Sequence, residues 1–250
     1  DLHKEYRRQR QMCIRDRFRM AKNKRSIDNN RYIITSVNPQ SPISEQYRTI
    51  RTTIDFKMAD QGIKSFLVTS SEAAAGKSTA SANIAVAFAQ QGKKVLLIDG
   101  DLRKPTVNIT FKVQNRVGLT NILMHQSSIE DAIQGTRLSE NLTIITSGPI
   151  PPNPSELLAS SAMKNLIDSV SDFFDVVLID TPPLSAVTDA QILSSYVGGA
   201  VIVVRAYETK KESLAKTKKM LEQVNANILG VVLHGVDSSE SPSYYYYGVE

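Results

Sequence analysis

From about Arg31 onward, short apolar runs alternate with longer mixed or amphipathic segments. The runs are rich in β-branched residues and too short for amphipathic helices, which is typical of strands buried on both faces of a parallel sheet. They cover Lys64–Thr69, Lys94–Asp99, Leu142–Thr146, Val176–Asp180, Ala200–Arg205 and Ile228–His234. The segments between them predict helices at Lys77–Gln91, Asn153–Ser171, Asp189–Tyr196 and Lys210–Asn225. This alternation predicts an α/β fold, a mostly parallel sheet flanked by helices on both faces, with ligands at the carboxyl ends of its strands.

The positive charge of the chain is concentrated at its N-terminus. Residues 1–31 contain eleven Lys or Arg and four Asp or Glu, so this segment accounts for +7 and the remainder for −2 of the net +5. The folded part is therefore nearly neutral, and we expect no nucleic-acid partner. We expect residues 1–30 to form a basic tail, either a solvated arm or a segment attracted to an anionic membrane surface. Residues 1–19 lack any periodic pattern, and whether they are native stays open.

A single folded domain is predicted over residues 31–238, followed by a flexible tail over 239–250. The only cysteine, Cys13, excludes a disulfide framework and fits a cytoplasmic protein. The longest apolar runs, such as Val197–Val204, are far shorter than the roughly 18–20 residues that span a bilayer. We therefore expect a cytoplasmic protein that reaches the inner face of the membrane only indirectly.

The segment after the first predicted strand ends in Gly76-Lys77-Ser78 and leads into a predicted helix. This is the ending of a P-loop, whose backbone N–H groups surround the β-phosphate of a nucleotide. Lys77 would bind the β- and γ-phosphate oxygens, and the Ser78 hydroxyl would ligate Mg²⁺. The residues expected to bind ATP are Ser71, Glu72, Ala73, Ala74, Ala75, Gly76, Lys77, Ser78 and Thr79.

The start of this loop departs from the usual P-loop. Ser71 stands at the usual first glycine, and Ala74 and Ala75 stand where glycines are common. If the loop needs positive φ there, an alanine costs roughly 1 kcal/mol or more. From this motif alone, an accidental Gly-Lys-Ser at a helix start remains the alternative.

Three carboxylates follow predicted strands. Asp99 and Asp101 come at the end of the second strand, and Asp180 ends another. One aspartate after a strand is often only a turn or cap residue. Three of them beside a P-loop are more simply explained as Mg²⁺ ligands and a base, because their charges need a metal and cationic groups to balance them.

Together these motifs resemble the MinD/ParA-related P-loop ATPases. The Asp99–Pro105 segment matches the box called Walker A′, and Asp180–Pro183 matches Walker B. Within that group the chain is most similar, from about Arg31 to Glu250, to the bacterial tyrosine kinases (BY-kinases) of capsular and exopolysaccharide synthesis. Partition-type relatives have a lysine early in the P-loop, and its absence at Ser71–Ala73 favours the kinases. Other similar segments are Thr146–Glu156 and Asp180–Asp189.

The resemblance implies a protein-tyrosine kinase that uses ATP and Mg²⁺. Asp101 and Asp180 would then hold the metal, and Asp99 would accept the proton of the attacking tyrosine hydroxyl. The roles of Asp99 and Asp101 can be exchanged in this scheme. Arg103 would either assist phosphate binding or form a structural salt bridge.

Four consecutive tyrosines, Tyr244, Tyr245, Tyr246 and Tyr247, lie close to the end of the chain beside Ser, Pro and Gly. No helix or strand buries every face of a terminal segment, so these side chains cannot all be core residues. The resemblance implies that they are phosphoacceptors, modified between neighbouring subunits. A tail that associates non-specifically, or an edge strand, is the structural alternative.

Glu45, Arg48 and Arg51 are spaced by three residues, which places them on one side of a predicted helix. Alone, this pattern usually marks a solvated face. In BY-kinases the matching helix closes a ring of subunits, so the resemblance implies a homo-oligomeric ring.

Relatives often have an asparagine near the adenine after the last strand, and here His234 is in the similar position. It would stack on or hydrogen-bond to the base, or be a partly buried structural residue. The resemblance further implies a transmembrane polysaccharide co-polymerase as activator, and protein tyrosine substrates. The alternatives are a Mg-ATPase switch of the MinD/ParA type without kinase activity and a nucleotide-stabilised assembly scaffold.

Overall fold

A computed structural model describes residues 33–236. The N-terminal basic segment and the tyrosine cluster Tyr244–Tyr247 lie outside the described residues.

Within residues 33–236 the strands form one seven-stranded sheet in the order β3-β4-β2-β5-β1-β6-β7. Only the edge strand β3 is antiparallel to its neighbour; the other pairs are parallel. The predicted α/β class is therefore confirmed. The strands are β1 (Ser65–Ser70), β2 (Val95–Asp99), β3 (Ile133–Gly135), β4 (Leu142–Ile145), β5 (Val176–Asp180), β6 (Gly199–Arg205) and β7 (Ile228–His234).

Helices cover both faces of the sheet. The helices are α1 (Ile34–Val37), α2 (Pro42–Gln61), α3 (Lys77–Gln90), α4 (Val107–Phe111), α5 (Leu119–Leu123), α6 (Ile129–Ala132), α7 (Pro154–Leu158), α8 (Ser161–Phe173), α9 (Asp189–Ser194) and α10 (Lys211–Glu222). Alternate residues of a strand point to opposite faces, so Phe66 and Val68 of β1 pack with α2 and α3, while Leu67 packs in the cluster that holds α8 and α10. All three side chains are fully buried, which explains the uniformly apolar strands.

The structure differs from the sequence-based prediction between residues 153 and 171. The single helix predicted there is two helices, because Ser160 has extended backbone dihedrals, with φ −68° and ψ 155°. Serine favours this position before a helix, and the Ser160 hydroxyl donates to the carbonyl of Leu157 at the end of α7. The short elements α4, α5, α6 and β3 were not predicted either, since none is long enough to show a hydrophobic period.

Helix α1 and the long helix α2 pack against the P-loop helix α3. The buried side chain of Asn83 in α3 accepts hydrogen bonds at Oδ1 from the Thr35 backbone N–H and from the Thr35 hydroxyl, each 3.0 Å long. Gln90 Nε2, at the other end of α3, donates to the Thr35 carbonyl. The segment that precedes α2 is thus fixed to the helix that follows the P-loop. Within the described part of the chain, no helix is long and apolar enough to cross a membrane.

Candidate active site

The sequence motifs meet at the carboxyl ends of three adjacent strands. Strand β5 lies between β1 and β2, and its last residue, Asp180, is in register with Asp99 of β2 and Val68 of β1. The P-loop leaves β1 at the same edge and leads into α3. Parallel pairing therefore brings Asp99 and Asp180 next to each other and beside the P-loop.

The P-loop contains two left-handed backbone positions. Ala74 has φ 62° and Gly76 has φ 88°. An alanine of this loop is strained if it has positive φ, and Ala74 does. A left-handed conformation costs a non-glycine residue about 1–2 kcal/mol. Gly76 is required for a second reason: a Cβ there would lie 2.1 Å from Cδ2 of His234.

Lys77 and Asp180 form a buried ion pair at the start of α3. Lys77 is 8% exposed and Asp180 is fully buried, and Lys77 Nζ lies 2.8 Å from Asp180 Oδ2. Lys77 Nζ also donates to Ser78 Oγ at 3.1 Å. The second carboxylate oxygen, Oδ1, accepts a 2.7 Å hydrogen bond from the hydroxyl of Ser81, one turn further along α3. The predicted phosphate-binding lysine therefore neutralises the Walker B carboxylate.

Backbone N–H groups hold the two other carboxylates. Asp99 Oδ2 accepts from the N–H groups of Thr106 and Val107, at 3.0 and 2.9 Å, where α4 begins. Asp101 Oδ1 accepts from the N–H groups of Arg103 and Lys104, at 3.3 and 2.9 Å. Asp99 is fully buried, whereas Asp101 is 8% exposed.

This arrangement fits a nucleotide with Mg²⁺ better than a metal bound by protein alone. Among residues 33–236, no three His, Cys, Asp or Glu side chains are grouped so that they could hold a metal ion. Mg²⁺ usually binds to one or two carboxylates and completes its shell with phosphates and water. Ser71 Oγ is buried and has no hydrogen-bond partner, and Asp180 Oδ2 is contacted only by the ammonium group of Lys77. A phosphate-bound cation would use such oxygens.

Comparison with known proteins identifies the family. The model of the AAA domain family matches residues 64–229. Tyrosine-protein kinase YwqD of Bacillus subtilis (strain 168) is 49% identical over 220 residues, which is 88% of this chain and 92% of that protein.

The chain belongs to the bacterial tyrosine kinases.

Solved structures agree with this assignment. The kinase domain of the Escherichia coli tyrosine kinase ETK superposes with a TM-score of 0.80 at 32% identity, covering 87% of this kinase and 85% of that chain. The septum site-determining protein MinD from Pyrococcus horikoshii OT3, complexed with Mg-ADP, has a TM-score of 0.60 at 25% identity, covering 72% and 74%. The P-loop ATPase fold is therefore shown, and a neighbour with that fold binds Mg-ADP.

Two carboxylates of the candidate site have shifted pKa values. Burial, followed by the charge of Asp180, raises the pKa of Asp99 to about 7, although the N–H groups of Val107 and Thr106 oppose the shift. Burial also raises the pKa of Asp101, opposed chiefly by the N–H of Lys104. A proton acceptor works best when its pKa is close to the working pH, so Asp99 has the acidity expected of a base.

The structure places Arg103 in a salt bridge, one of the two roles considered for it. Its Nε and Nη2 donate to both oxygens of Asp189, at 2.9 and 3.2 Å, and Nη2 also donates to Ser155 Oγ at 2.7 Å. The Asp189 hydrogen bond raises the pKa of Arg103, so the guanidinium stays charged. Asp189 was within a segment already recognised as similar to the family, but nothing in its spacing indicated this pairing.

His234 lies against the P-loop backbone at Gly76. Burial, followed by the charge of Arg205, lowers its pKa, so the imidazole is neutral at pH 7. This position agrees with a partly buried structural residue, and contact with the base stays a prediction. The loop has a second support that was not anticipated: Ser213 of α10 donates to Glu72 Oε1 at 2.7 Å. Ser81 was also missed, although its spacing of four from Lys77 puts both on one side of α3.

The three residues of the predicted oligomerisation helix are not equivalent. Glu45 and Arg48 pair with each other on the surface of α2, where their side chains are 56% and 33% exposed. Arg51 instead turns toward α3, where Nη1 donates to the Ala87 carbonyl at 3.5 Å. Glu45 is thus the most accessible of the three, whereas Arg48 and Arg51 are partly buried.

Replacing the strained P-loop alanine should stabilise the kinase. We expect Ala74→Gly to raise the free energy of unfolding by about 0.5 kcal/mol, because relief of the left-handed strain exceeds the added entropy of the unfolded chain. Ala73 is exposed as well but does not have positive φ. Ala73→Gly should therefore lower stability, by about 0.5–1 kcal/mol. Denaturant unfolding measures whether the free energy of unfolding rises or falls in each variant. Equal destabilisation by the two substitutions would show that Ala74 is not strained.

Proposed function

We propose that this tyrosine kinase transfers the γ-phosphoryl group of Mg-ATP to its own C-terminal tyrosines, Tyr244–Tyr247. The observation that supports this best is the cluster of Lys77, Asp99, Asp101 and Asp180 at one edge of the sheet, in a chain of a tyrosine kinase family. The acceptor tyrosines lie outside the described residues, so their role rests on the sequence and the family.

The nucleotide phosphates would be bound by the N–H groups of the P-loop and by Lys77. Ser78, Asp101 and Asp180 would hold Mg²⁺, directly or through water. When bound, ATP would supply the phosphoryl group that is transferred, and Mg²⁺ would neutralise the negative charge that develops on it. Lys77 now neutralises Asp180, so phosphate oxygens must compete with that carboxylate for the ammonium group.

The protein would accept the proton of the tyrosine hydroxyl at a carboxylate. A phenol has a pKa near 10, so the proton leaves late in the transfer and needs a nearby acceptor. Asp99 has the raised pKa suited to this role, whereas Asp101 is the more accessible of the two. We assign the base to Asp99 and the metal contact to Asp101.

Phosphopeptide mass spectrometry after incubation with Mg-ATP tests the proposed acceptors. We expect phosphate on Tyr244–Tyr247 in the parent, and none in Lys77→Met, because that variant lacks the ammonium group that binds the transferred phosphoryl. A cytoplasmic peptide of an activator should be supplied, since the family resemblance implies a transmembrane co-polymerase partner and a role in capsule or exopolysaccharide synthesis. ATP turnover without modified tyrosine, with the activator present, would instead favour the ATPase switch.

The Asp99→Asn variant tests the proposed base. We expect phosphotyrosine formation to fall by about 10²-fold or more, since the amide cannot accept the proton. Above pH 7, where Asp99 is mostly ionised, the free energy of unfolding should rise by about 1 kcal/mol, because a buried charge beside Asp180 is removed while an acceptor for Thr106 and Val107 remains. Loss of the 3.3 Å hydrogen bond that the Asp101 N–H donates to Asp99 Oδ1 offsets part of this gain. Thermal melts and initial rates measure both quantities. If Asp101→Asn loses the proton-transfer step and Asp99→Asn does not, the two roles are exchanged.

We further propose that Glu45 and Arg48 contribute to a homo-oligomeric ring. They form the surface ion pair of their helix face, and α2 packs against the P-loop helix α3, to which Arg51 also donates. A subunit that binds there would therefore contact a helix that is packed on the P-loop helix.

Exchanging the two charges tests this surface. The double variant Glu45→Arg/Arg48→Glu keeps a local ion pair but reverses the charge pattern, so we expect sedimentation to show monomers that remain folded. The melting temperature should fall by a few degrees at most, because a cation in the first turn of α2 opposes the helix dipole and the Arg48 bond to the Pro39 carbonyl is lost. The matched control is Lys218→Glu/Glu222→Lys on α10, an exposed pair 3.4 Å apart, which should leave assembly unchanged. Normal assembly of the α2 variant would place the interface elsewhere.

A further inference from the structure

We propose that Asp189 and Ser155 are positioning residues for the phosphoryl-transfer site: they hold the Arg103 side chain, and through it the backbone N–H groups that orient Asp101. We call Arg103, Ser155 and Asp189 the Arg103 cluster. The inference rests on the proposed role of Asp101 as a metal-binding carboxylate.

The Arg103 cluster joins three segments that follow strands at the same edge of the sheet. Arg103 lies in the loop after β2, Ser155 in α7 after β4, and Asp189 at the start of α9 after β5. Both oxygens of Asp189 accept from the guanidinium, and the Ser155 hydroxyl is 2.7 Å from both Arg103 Nη2 and Asp189 Oδ1. Two parallel N–H···O bonds fix the plane of the guanidinium as well as its distance.

Burial makes this contact hard to break. The Asp189 side chain is fully buried, whereas the Arg103 side chain is 37% exposed. A buried carboxylate without a cation is strongly destabilised, so the folded protein favours the arrangement in which Arg103 stays on Asp189. Arginine suits the site because its planar fork matches both carboxylate oxygens, which a lysine cannot do.

The restraint on the Arg103 side chain extends to the metal-binding carboxylate through two residues of backbone. The N–H groups of Arg103 and Lys104 donate to Asp101 Oδ1, and those of Thr106 and Val107 donate to Asp99 Oδ2. The segment from 103 to 107 therefore presents four donors to two carboxylates. Fixing its start at Asp189 limits how far the Asp101 carboxylate can turn.

A direct phosphate contact by Arg103 makes a different prediction. If Arg103 acted on phosphate, Asp189→Asn would release the guanidinium and preserve or improve nucleotide binding, and only Arg103→Gln would weaken it. If the Arg103 cluster positions Asp101, both substitutions loosen the same loop and share one phenotype. A purely stabilising salt bridge would change the melting temperature alone.

Amide hydrogen exchange and calorimetry of the nucleotide complex separate these cases. In Asp189→Asn we expect the amides of Arg103 and Lys104 to exchange at least tenfold faster. The Mg²⁺ concentration that half-saturates ADP binding should rise about tenfold, as for other residues that orient metal ligands. ADP binding without Mg²⁺ should stay unchanged. Ser155→Ala keeps the ion pair and should show the same changes to a smaller extent, which also tests the inference if Asp189→Asn does not fold.

The control is Asp55→Asn, which removes a partly buried ion pair with Lys93, 3.4 Å long, at the opposite end of the sheet. It should change neither the exchange of residues 103–104 nor the Mg²⁺ dependence. Unchanged exchange at these amides in Asp189→Asn, or improved nucleotide binding, would overturn the inference. If Asp101→Asn leaves the Mg²⁺ dependence unaltered, the proposed metal role of Asp101 fails instead, whatever Asp189→Asn does to the amides.

Discussion

The ion pair between Lys77 and Asp180 is the contact on which the site depends. Parallel pairing of β2 and β5 brings Asp99 and Asp180 together at one strand edge, and both are fully buried. Two such carboxylates repel each other, and water cannot screen them. The fold offsets this with the ammonium of Lys77 on Asp180, and with the N–H groups at the start of α4 on Asp99. Burial, followed by the charge of Asp180, still raises the pKa of Asp99 to about 7 in spite of these contacts.

Much of this arrangement could be predicted from sequence because the relevant residues follow strands directly. Two uniformly apolar runs end in Asp99 and Asp180, and a third ends just before the P-loop. In a parallel sheet the carboxyl ends of these strands lie at the same edge, so the two carboxylates and the P-loop must lie there together. The sequence indicated that an alanine in the P-loop would be strained if it had positive φ, but only the structure shows that Ala74 does. The predicted bounds of α3, α9 and α10 were also within a few residues of the observed ones, whereas α2 was predicted from the spacing of Glu45, Arg48 and Arg51 without bounds.

The parts that escaped prediction depend on contacts distant in sequence or on elements too short to have a period. Asp189 binds a guanidinium 86 positions earlier, and Ser213 supports Glu72 across 141 positions. No local pattern contains such pairings. The break at Ser160 was missed since the apolar positions continue through it, and α4 to α6 are each five residues or fewer. In the same way, the equal spacing of Glu45, Arg48 and Arg51 concealed that the third turns toward α3.

The internal pairing of Lys77 has a consequence for nucleotide exchange. Under the proposed function, Asp180 would compete with the nucleotide phosphates for the ammonium group of Lys77. If the proposed function holds, nucleotide affinity would be a difference between two contacts of Lys77, because each new contact with phosphate replaces the ion pair with Asp180. The same carboxylate would then be in place to receive the ammonium group when the product leaves.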